Sequence, residues 1–416
     1  MQRRQLLGTT AALGALALTG RAPAVHAQDK KISLLTWNIP HLKDLIMAWG
    51  EEFKKRTGAE LEWLDKKGPE LPAFYQTQLV AGTPPDIINT QGALWLEYAA
   101  GGALMDLTPM FEQEPDVKAR FNADYLKNWT YEDRNFMFPF YITKTLLFYN
   151  KKLFVEAGLS GPPQSFDDML AFASKIKGGE KTGMLTLNFD WLYWPLMKMN
   201  GIDLLSPDLK EAVFNTDKTR EVVERLAAGT ADGSINKIAW TGRWVEPNGA
   251  FAAGTVGMHH AHSPAYFAIK GQGPWVSPET LGAAHAPGGW ATPNSHGLGI
   301  SKGSKNPELA WAFLKMMTEE DWAYRFGSIY KVLPGNAVAD PKIIATFEKD
   351  DPLAVEVLNT QLEHTDKQTG NWRTAADSRI KEAFWPEMQA ALLGQKPVKE
   401  ALDEADRKVA RVLSRA

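Results

Sequence analysis

Three features of the sequence predict an α/β protein of two lobes, each lobe a mostly parallel sheet flanked by helices. Strand-like and helix-like stretches alternate from residue 32 to residue 89, and the same alternation restarts near residue 146. About 390 residues follow an N-terminal export signal, more than one hydrophobic core ordinarily supports. No internal repeat, low-complexity tract or long flexible linker separates the halves. Lobes joined in that way exchange the chain more than once and close around a cleft.

The elements follow in order. Arg3 and Arg4 precede an apolar run from Leu6 to Leu18, and Val25-His26-Ala27 supplies a small-residue cleavage site, so residues 1–27 read as a signal peptide. The run is too short to span a bilayer, and no later segment is both as long and as free of charge. The paired arginines before Gln5-Leu6-Leu7 resemble a twin-arginine signal, with Sec-type export as the alternative. Ile32–Trp37 is a buried strand that stops at Asn38-Ile39-Pro40. Leu42, Leu45, Ile46, Trp49 and Phe53 recur at helical spacing until Thr57-Gly58 ends the helix. Glu60–Leu64 alternates as a half-exposed strand, a helix runs through Phe74 and Leu79 to Pro84-Pro85, and Asp86–Asn89 is a third strand. Leu146–Tyr149 opens the second series. Ser165 with Asp168 makes a capping-box start for a helix carrying Phe166, Met169, Leu170 and Ala173. Asn306-Pro307 opens another with Ala310, Trp311, Phe313, Leu314 and Met317, and a stripe of Val398, Leu402, Ala405, Val409 and Val412 closes the chain.

Composition excludes several classes. A net charge of -3 argues against nucleic acid, and no basic amphipathic segment fits a membrane surface. With no cysteine there is no disulfide framework, no thiolate metal site and no lipid-anchor acceptor, so the chain is expected to diffuse freely as a periplasmic monomer. Tryptophan is abundant, at 15 residues. Most tryptophans serve packing, but Trp191, Trp240, Trp290 and Trp372 lie in polar or Gly/Pro-rich surroundings without a helical stripe to bury them, and are candidate ligand platforms.

At Ala81-Gly82-Thr83-Pro84-Pro85-Asp86-Ile87-Ile88 the chain resembles the family 1 extracellular solute-binding proteins of ABC importers, the group containing the maltose-binding protein. The resemblance extends through Phe53–Gly58, Gly101–Leu107, Phe138-Pro139, Leu147–Phe154, Ala157–Leu159, Phe251–Met258 and Gly299–Pro307, over nearly all of the mature chain. It implies a periplasmic-binding-protein fold whose lobes hinge shut on a ligand, with crossings near Ile142-Thr143, Gly297–Gly299 and Leu333-Pro334. One lobe would hold residues 28–143 and 298–333, the other 144–297 and 334–416. It also implies no enzyme activity and no cofactor. The partners would be a sugar or sugar-like ligand, a membrane permease and its ATPase.

Carried over residue by residue, the resemblance puts Asn38 and His41 on the first-strand loop, and Thr90, Gln91 and Gly92 on the loop after Asp86-Ile87-Ile88. Thr143 stands at the hinge, where the maltose receptor has a carboxylate, and Asn188 and Trp191 fall in a sugar-contacting segment. Phe189 replaces an acidic sugar ligand there, and His262 lies where a stacking tryptophan is expected, so the pocket is remodelled. A sugar needs an aromatic under its C–H face and polar groups along its edge. Asn38, Gln91, Asn188, Asn294 and Ser295 offer the edge, and Arg373 beside Trp372 offers a planar fork for a hydroxyl pair or an anion, or else a surface ion pair.

Other readings compete. His260 and His262 project the same way from a strand, as two metal ligands must, but no carboxylate lies within that cluster and no H-E-x-x-H occurs. No metal is therefore expected. Pro293 stands where a hydrolase elbow around Ser295 needs glycine, so nucleophilic catalysis is not expected either. A secreted carbohydrate-active hydrolase remains an alternative, since two carboxylates across a cleft leave no sequence signature. A polyol or glycerol phosphate is the alternative ligand, ahead of a polyamine, for which the motif loops are too poor in acidic residues.

Overall fold

The computed structural model describes residues 30–415 apart from 38, 69, 93, 187–188, 243–245, 294, 369–371 and 373, and the side chains of residues 40, 91 and 189–191 also lie outside the description. The expected export signal, residues 1–27, falls outside the described residues.

Two sheets organise the rest. The first has the order β2-β1-β3-β11-β6, from β1 (Lys31–Trp37), β2 (Glu60–Lys66), β3 (Ile87–Gln91), β6 (Phe138–Tyr141) and β11 (His296–Ile300). The second has the order β10-β7-β9-β8, from β7 (Thr145–Asn150), β8 (Thr182–Thr186), β9 (Val256–His262) and β10 (Leu281–Ala284). A short hairpin, β4 (Thr130–Tyr131) and β5 (Arg134–Asn135), stands apart. β1 pairs in parallel with β2 and β3, whereas β11 is antiparallel to both β3 and β6. β8 is parallel to β9, whereas β7 is antiparallel to both β9 and β10. Each sheet thus has a single direction broken by one reversed strand. Hydrophobic periodicity cannot see this refinement of the mostly parallel expectation. Its cause is topological: β7 and β11 are the strands that enter directly from the other sheet, at its cleft-facing end, and must run away from it.

The local signals act as anticipated. The helix Lys43–Thr57 buries Leu45, Ile46, Trp49 and Phe53 and ends at Gly58, which takes φ of 72° and donates its N–H to the Lys54 carbonyl. Ser165 caps the helix Phe166–Ile176 by accepting the Asp168 N–H at 3.0 Å. Asp168 returns the bond one residue further out than a capping box does, to the Gln164 N–H at 3.0 Å. Asp86, just before β3, joins β1 to the turn after β11: its carboxylate accepts the Ser33 N–H at 2.8 Å and hydroxyl at 2.9 Å, and the Ser304 hydroxyl at 2.5 Å.

The chain leaves the first sheet between β6 and β7 and returns between β10 and β11, so that the expected crossing at Gly297–Gly299 falls inside a strand already paired in the first sheet. It leaves again after the helix Glu320–Tyr330, to reach the helix Pro352–Leu362 packed on β7 and β10. The crossing segments hold each other. Ile142 N–H donates to the Leu333 carbonyl at 2.8 Å, Thr145 N–H to the Thr292 carbonyl at 3.0 Å, and the Gln361 amide to the Ile142 carbonyl at 3.0 Å. Tyr125, Ile142, Leu333, Ala339, Ile343 and Leu358 form an apolar cluster around them.

Two predictions follow from this packing. A Cβ at Gly183 would stand 2.1 Å from the Ala173 backbone, an obstruction no rotamer relieves, while one at Gly271 meets nothing within 4 Å. Gly183→Ala should therefore cost about 1–3 kcal/mol in urea unfolding, whereas Gly271→Ala, in the helix Ala265–Gln272, should be neutral or stabilising by up to about 1 kcal/mol.

The second concerns His260, which is fully buried with neither ring nitrogen hydrogen-bonded and is held by burial down to about 3. Below the ordinary histidine pKa of about 6.5 the unfolded chain takes up a proton the folded chain refuses, so this residue destabilises as pH falls, by about 1.4 kcal/mol per pH unit. Asp340, which burial pushes up to about 8, drives the slope the other way, its stabilisation being lost as pH rises. The comparison of variant with parent isolates the histidine: His260→Phe should be at least as stable at pH 7 and lose less stability between pH 6.5 and 4.5. Identical slopes would refute the assignment.

Candidate functional site

The crossings place the strand ends that matter at one level. β11 begins where β3 and β6 end, with His296 opposite Gln91 and Tyr141. β7 begins where β9 ends, with Thr145 opposite His262. The His296 ring stacks on Tyr141 at 4.3 Å, and its Nδ1 lies 3.3 Å from the Asn89 amide oxygen. Burial holds this imidazole down to about 3, so it is neutral at pH 7 and offers hydrogen bonds without charge.

Beside this level lies a cavity of about 710 Å³. Trp95 and the hairpin residues Thr130, Tyr131 and Glu132 approach it from the first sheet's side, and Met197, Lys198 and the loop Ile202–Leu205 from the second's. Trp290 and Pro293, on the return crossing, and Asp366, Gln368 and Trp372 complete the wall. Its charged groups are largely paired: Lys198 with Asp203 at 2.5 Å and Glu132 with Arg134 of the hairpin at 2.7 Å, while Asp366 adds a third carboxylate.

Four candidate tryptophans meet different fates. Trp290 is half-buried on the cavity wall, presented by Gly288 and Gly289, both at φ of 77°. Only glycine holds two such residues in succession without strain. Trp372 also reaches the wall, but it is 3% exposed and sits edge-on to Trp194, at 4.9 Å and 87°, in a cluster with Phe214 and Phe384. Trp240 is a correction. It is 1% exposed and its indole N–H donates to the Thr230 hydroxyl at 2.7 Å, so it packs the second lobe's core and presents no face to a ligand. Trp191 lies in the helix Phe189–Met199, whose last turn supplies Met197 and Lys198 to the cavity; its side chain is outside the description.

The remaining candidates divide similarly. His41 is exposed and stacks on Tyr330 at 5.0 Å. Thr90 is 3% exposed with its hydroxyl buried and unpartnered, and Gly92 turns the chain after β3 at φ of 59°. The backbone of Gln91 closes β3. Thr143 is buried in the first crossing, its N–H 3.4 Å from the Ser295 hydroxyl, and His262 is half-buried at the end of β9. Asn38, Asn188, Asn294 and Arg373 lie outside the described residues. Sequence reasoning missed Trp95, Tyr131, Glu132, Asp203 and Asp366. Most of these sit on short connections, and the turn at Glu132-Asp133 takes φ of 49° and 60° without a glycine to announce it.

A cavity with aromatic side walls and an acidic, hydroxyl-accepting rim suits a neutral polar molecule. Among the described residues, the histidines of β9 are not part of any group of three potential metal ligands, and no helix is long and apolar enough to cross a membrane.

Known proteins agree with the architecture. An ABC substrate-binding protein of Listeria monocytogenes, solved with cycloalternan, superposes with a TM-score of 0.77 at 19% identity, covering 92% of this chain and 99% of that one. The sugar-binding protein MalE of Xanthomonas citri superposes with a TM-score of 0.76 at 18% identity, over 92% and 98%. The diacetylchitobiose-binding protein of Streptomyces coelicolor is 23% identical over 332 residues, 70% of this chain and 72% of its own. The family model for bacterial extracellular solute-binding proteins matches residues 40–324, and the chain belongs to that family.

Proposed function

We propose that this protein is the substrate-binding component of an ABC importer, holding a neutral oligosaccharide in the cavity at the crossings and delivering it to a membrane permease driven by an ATPase. The observation that carries this reading is the half-buried Trp290 on the wall of a cavity of about 710 Å³, inside the ~300–1,000 Å³ range of small-molecule sites. Such a volume exceeds what one hexose ring fills. A galactooligosaccharide-binding protein of Bacillus subtilis, 25% identical over 182 residues that make up 43% of this chain and 40% of its own, supports the same reading. The carboxylates of Glu132, Asp203 and Asp366 keep oxygens that accept sugar hydroxyls, and Lys198, the lysine of the described wall, is already paired with Asp203, which places glycerol phosphate and acid sugars behind neutral ligands. Family membership makes the chain an exported protein. Arg3 and Arg4 before the apolar leader support export to the periplasm by the twin-arginine route.

A thermal-shift panel of maltose, N,N'-diacetylchitobiose, galactobiose, sorbitol and glycerol 3-phosphate tests the ligand class. Stabilisation by at least one of the disaccharides, recovered unaltered, is expected, with none from glycerol 3-phosphate. Stabilisation by the phosphate alone, or recovery of a cleaved sugar, would overturn the reading.

Trp290→Ala should weaken binding of the active sugar at least tenfold, about 1.4 kcal/mol, without changing the sugar-free melting temperature. Trp240→Phe should do the opposite, leaving affinity intact while losing about 1 kcal/mol of stability with the bond to Thr230. Calorimetric titration of both variants separates platform from packing.

A further inference from the structure

Outside the cavity, His285, Glu363 and His364 bring three potential metal-ligand atoms within 4.8 Å of one another. We propose that these three side chains form a binding site for a first-row transition metal, Zn²⁺ being the probe of choice. The proposal is independent of the ligand reading above.

The ligands come from two segments. His285 follows β10 at the start of the return crossing, and Glu363-His364 follows the helix Pro352–Leu362. His285 Nε2 lies 3.1 Å from Glu363 Oε2, and the two imidazole centroids are 4.7 Å apart at 74°. Neighbouring residues in extended chain point to opposite sides, yet here both Glu363 and His364 reach His285. The backbone permits it by placing His364 at φ of 49°, a left-handed conformation that is uncommon for a non-glycine residue. The His364 ring lies against Gly289, where a Cβ would stand 3.0 Å from it, so a glycine is what makes room for the ring.

Two imidazoles and one carboxylate are a known three-residue set for zinc, with a fourth position left to water. Bonds of about 2.0–2.2 Å put tetrahedral ligand atoms about 3.4 Å apart. The His285–Glu363 pair, hydrogen-bonded at 3.1 Å, lies within a few tenths of an ångström of that spacing, and rotation of the exposed His364 closes the remainder. The Lys144 ammonium donates to the Glu363 carbonyl and the Lys367 ammonium to the Gly288 carbonyl, and these two charges oppose any divalent cation, so the ligand bonds themselves must carry the affinity. Against them, Asp366 adds a neighbouring carboxylate that Lys144 also feels. Imidazole nitrogen suits Zn²⁺, Ni²⁺ or Cu²⁺ rather than Ca²⁺ or Mg²⁺. A bound ion would tie the return crossing to the segment that carries Asp366 and Gln368 into the cavity wall.

Calorimetric titration of the untagged protein with ZnCl₂ at pH 7.5, with Co²⁺ absorption as a second readout, tests this. One Zn²⁺ per chain with micromolar affinity is expected, together with the visible bands of tetrahedral Co²⁺. His364→Ala and His285→Ala should each weaken binding at least tenfold, and Glu363→Gln less. Metal-free melting temperatures check folding, and the exposed His364 keeps the test valid should the His285 variant prove unstable. Absence of binding, or equal binding by the double histidine variant, would overturn the proposal.

Discussion

The hydrogen bonds among the crossing segments are the constraint on which the rest of this structure depends. Ile142, Leu333, Thr145, Thr292 and Gln361 connect three passages of chain that belong to neither sheet alone. The first two passages leave one sheet at its cleft-facing end and must enter the other from that end, while the third runs to the helix Pro352–Leu362. The reversed strands β7 and β11 are the direct consequence, and so is the alignment of His296 with Gln91 and Tyr141 at one level. A cavity beside that level needs no separate explanation, because open α/β sheets leave their ligand crevices where connections diverge.

The crossings also explain an otherwise costly residue. Lys144 is 1% exposed, and burial pushes its ammonium down to about 8. A buried lysine is tolerated only where a partner meets it. Here the partner is the Glu363 backbone carbonyl, at the end of the helix Pro352–Leu362, where unpaired carbonyls concentrate the negative end of the helix dipole. One side chain thereby joins the first passage to the third. At Lys144 a polar bond supplements the apolar cluster of Ile142, Leu333 and Leu358 around the crossings, and polar bonds have directions that a hinge can preserve while its flanks rotate.

How much of this was legible from the residues depends on how local the determining physics is. Helix ends at Gly58 and Ser165 are set within four residues of chain and were readable. The opening strand–helix alternation was readable for the same reason. The reversal of β7 and β11 depends on which sheet a strand joins, and nothing in Thr145–Asn150 or His296–Ile300 encodes a direction. Trp240 shows the limit for side chains. Its polar neighbourhood in the sequence suggested exposure, but the hydroxyl it needs comes from Thr230 across a turn, which lets an indole N–H be buried satisfied. Tyr131 and Glu132 were hidden for the opposite reason, because their tight turn lacks the glycine that normally marks one. Trp290 was legible because its two preceding glycines do mark one.

The distribution of apolar and polar contact bears on closure. Around the crossings, Tyr125, Ile142, Leu333, Ile343 and Leu358 make a continuous apolar cluster. Across the mouth of the cavity three hydrogen bonds join the walls: Glu97 accepts the Ser378 N–H at 3.0 Å at the start of the helix Asp377–Leu392, the Asn128 amide meets Gln368 at 3.1 Å, and the Thr365 hydroxyl meets Asp124 at 2.7 Å. Apolar burial does not readily exchange with water, whereas exposed hydrogen bonds trade almost evenly for bonds to solvent, netting about 0.5–1.5 kcal/mol each. These hydrogen bonds hold the mouth weakly compared with the apolar cluster at the crossings. A weakly held mouth lets a ligand that touches both walls decide the equilibrium, since it shifts the population by its differential affinity and by nothing else. Had the mouth been sealed by an apolar cluster like that at the hinge, the lobes would stay shut whether or not anything lay between them, and release would be the difficult step.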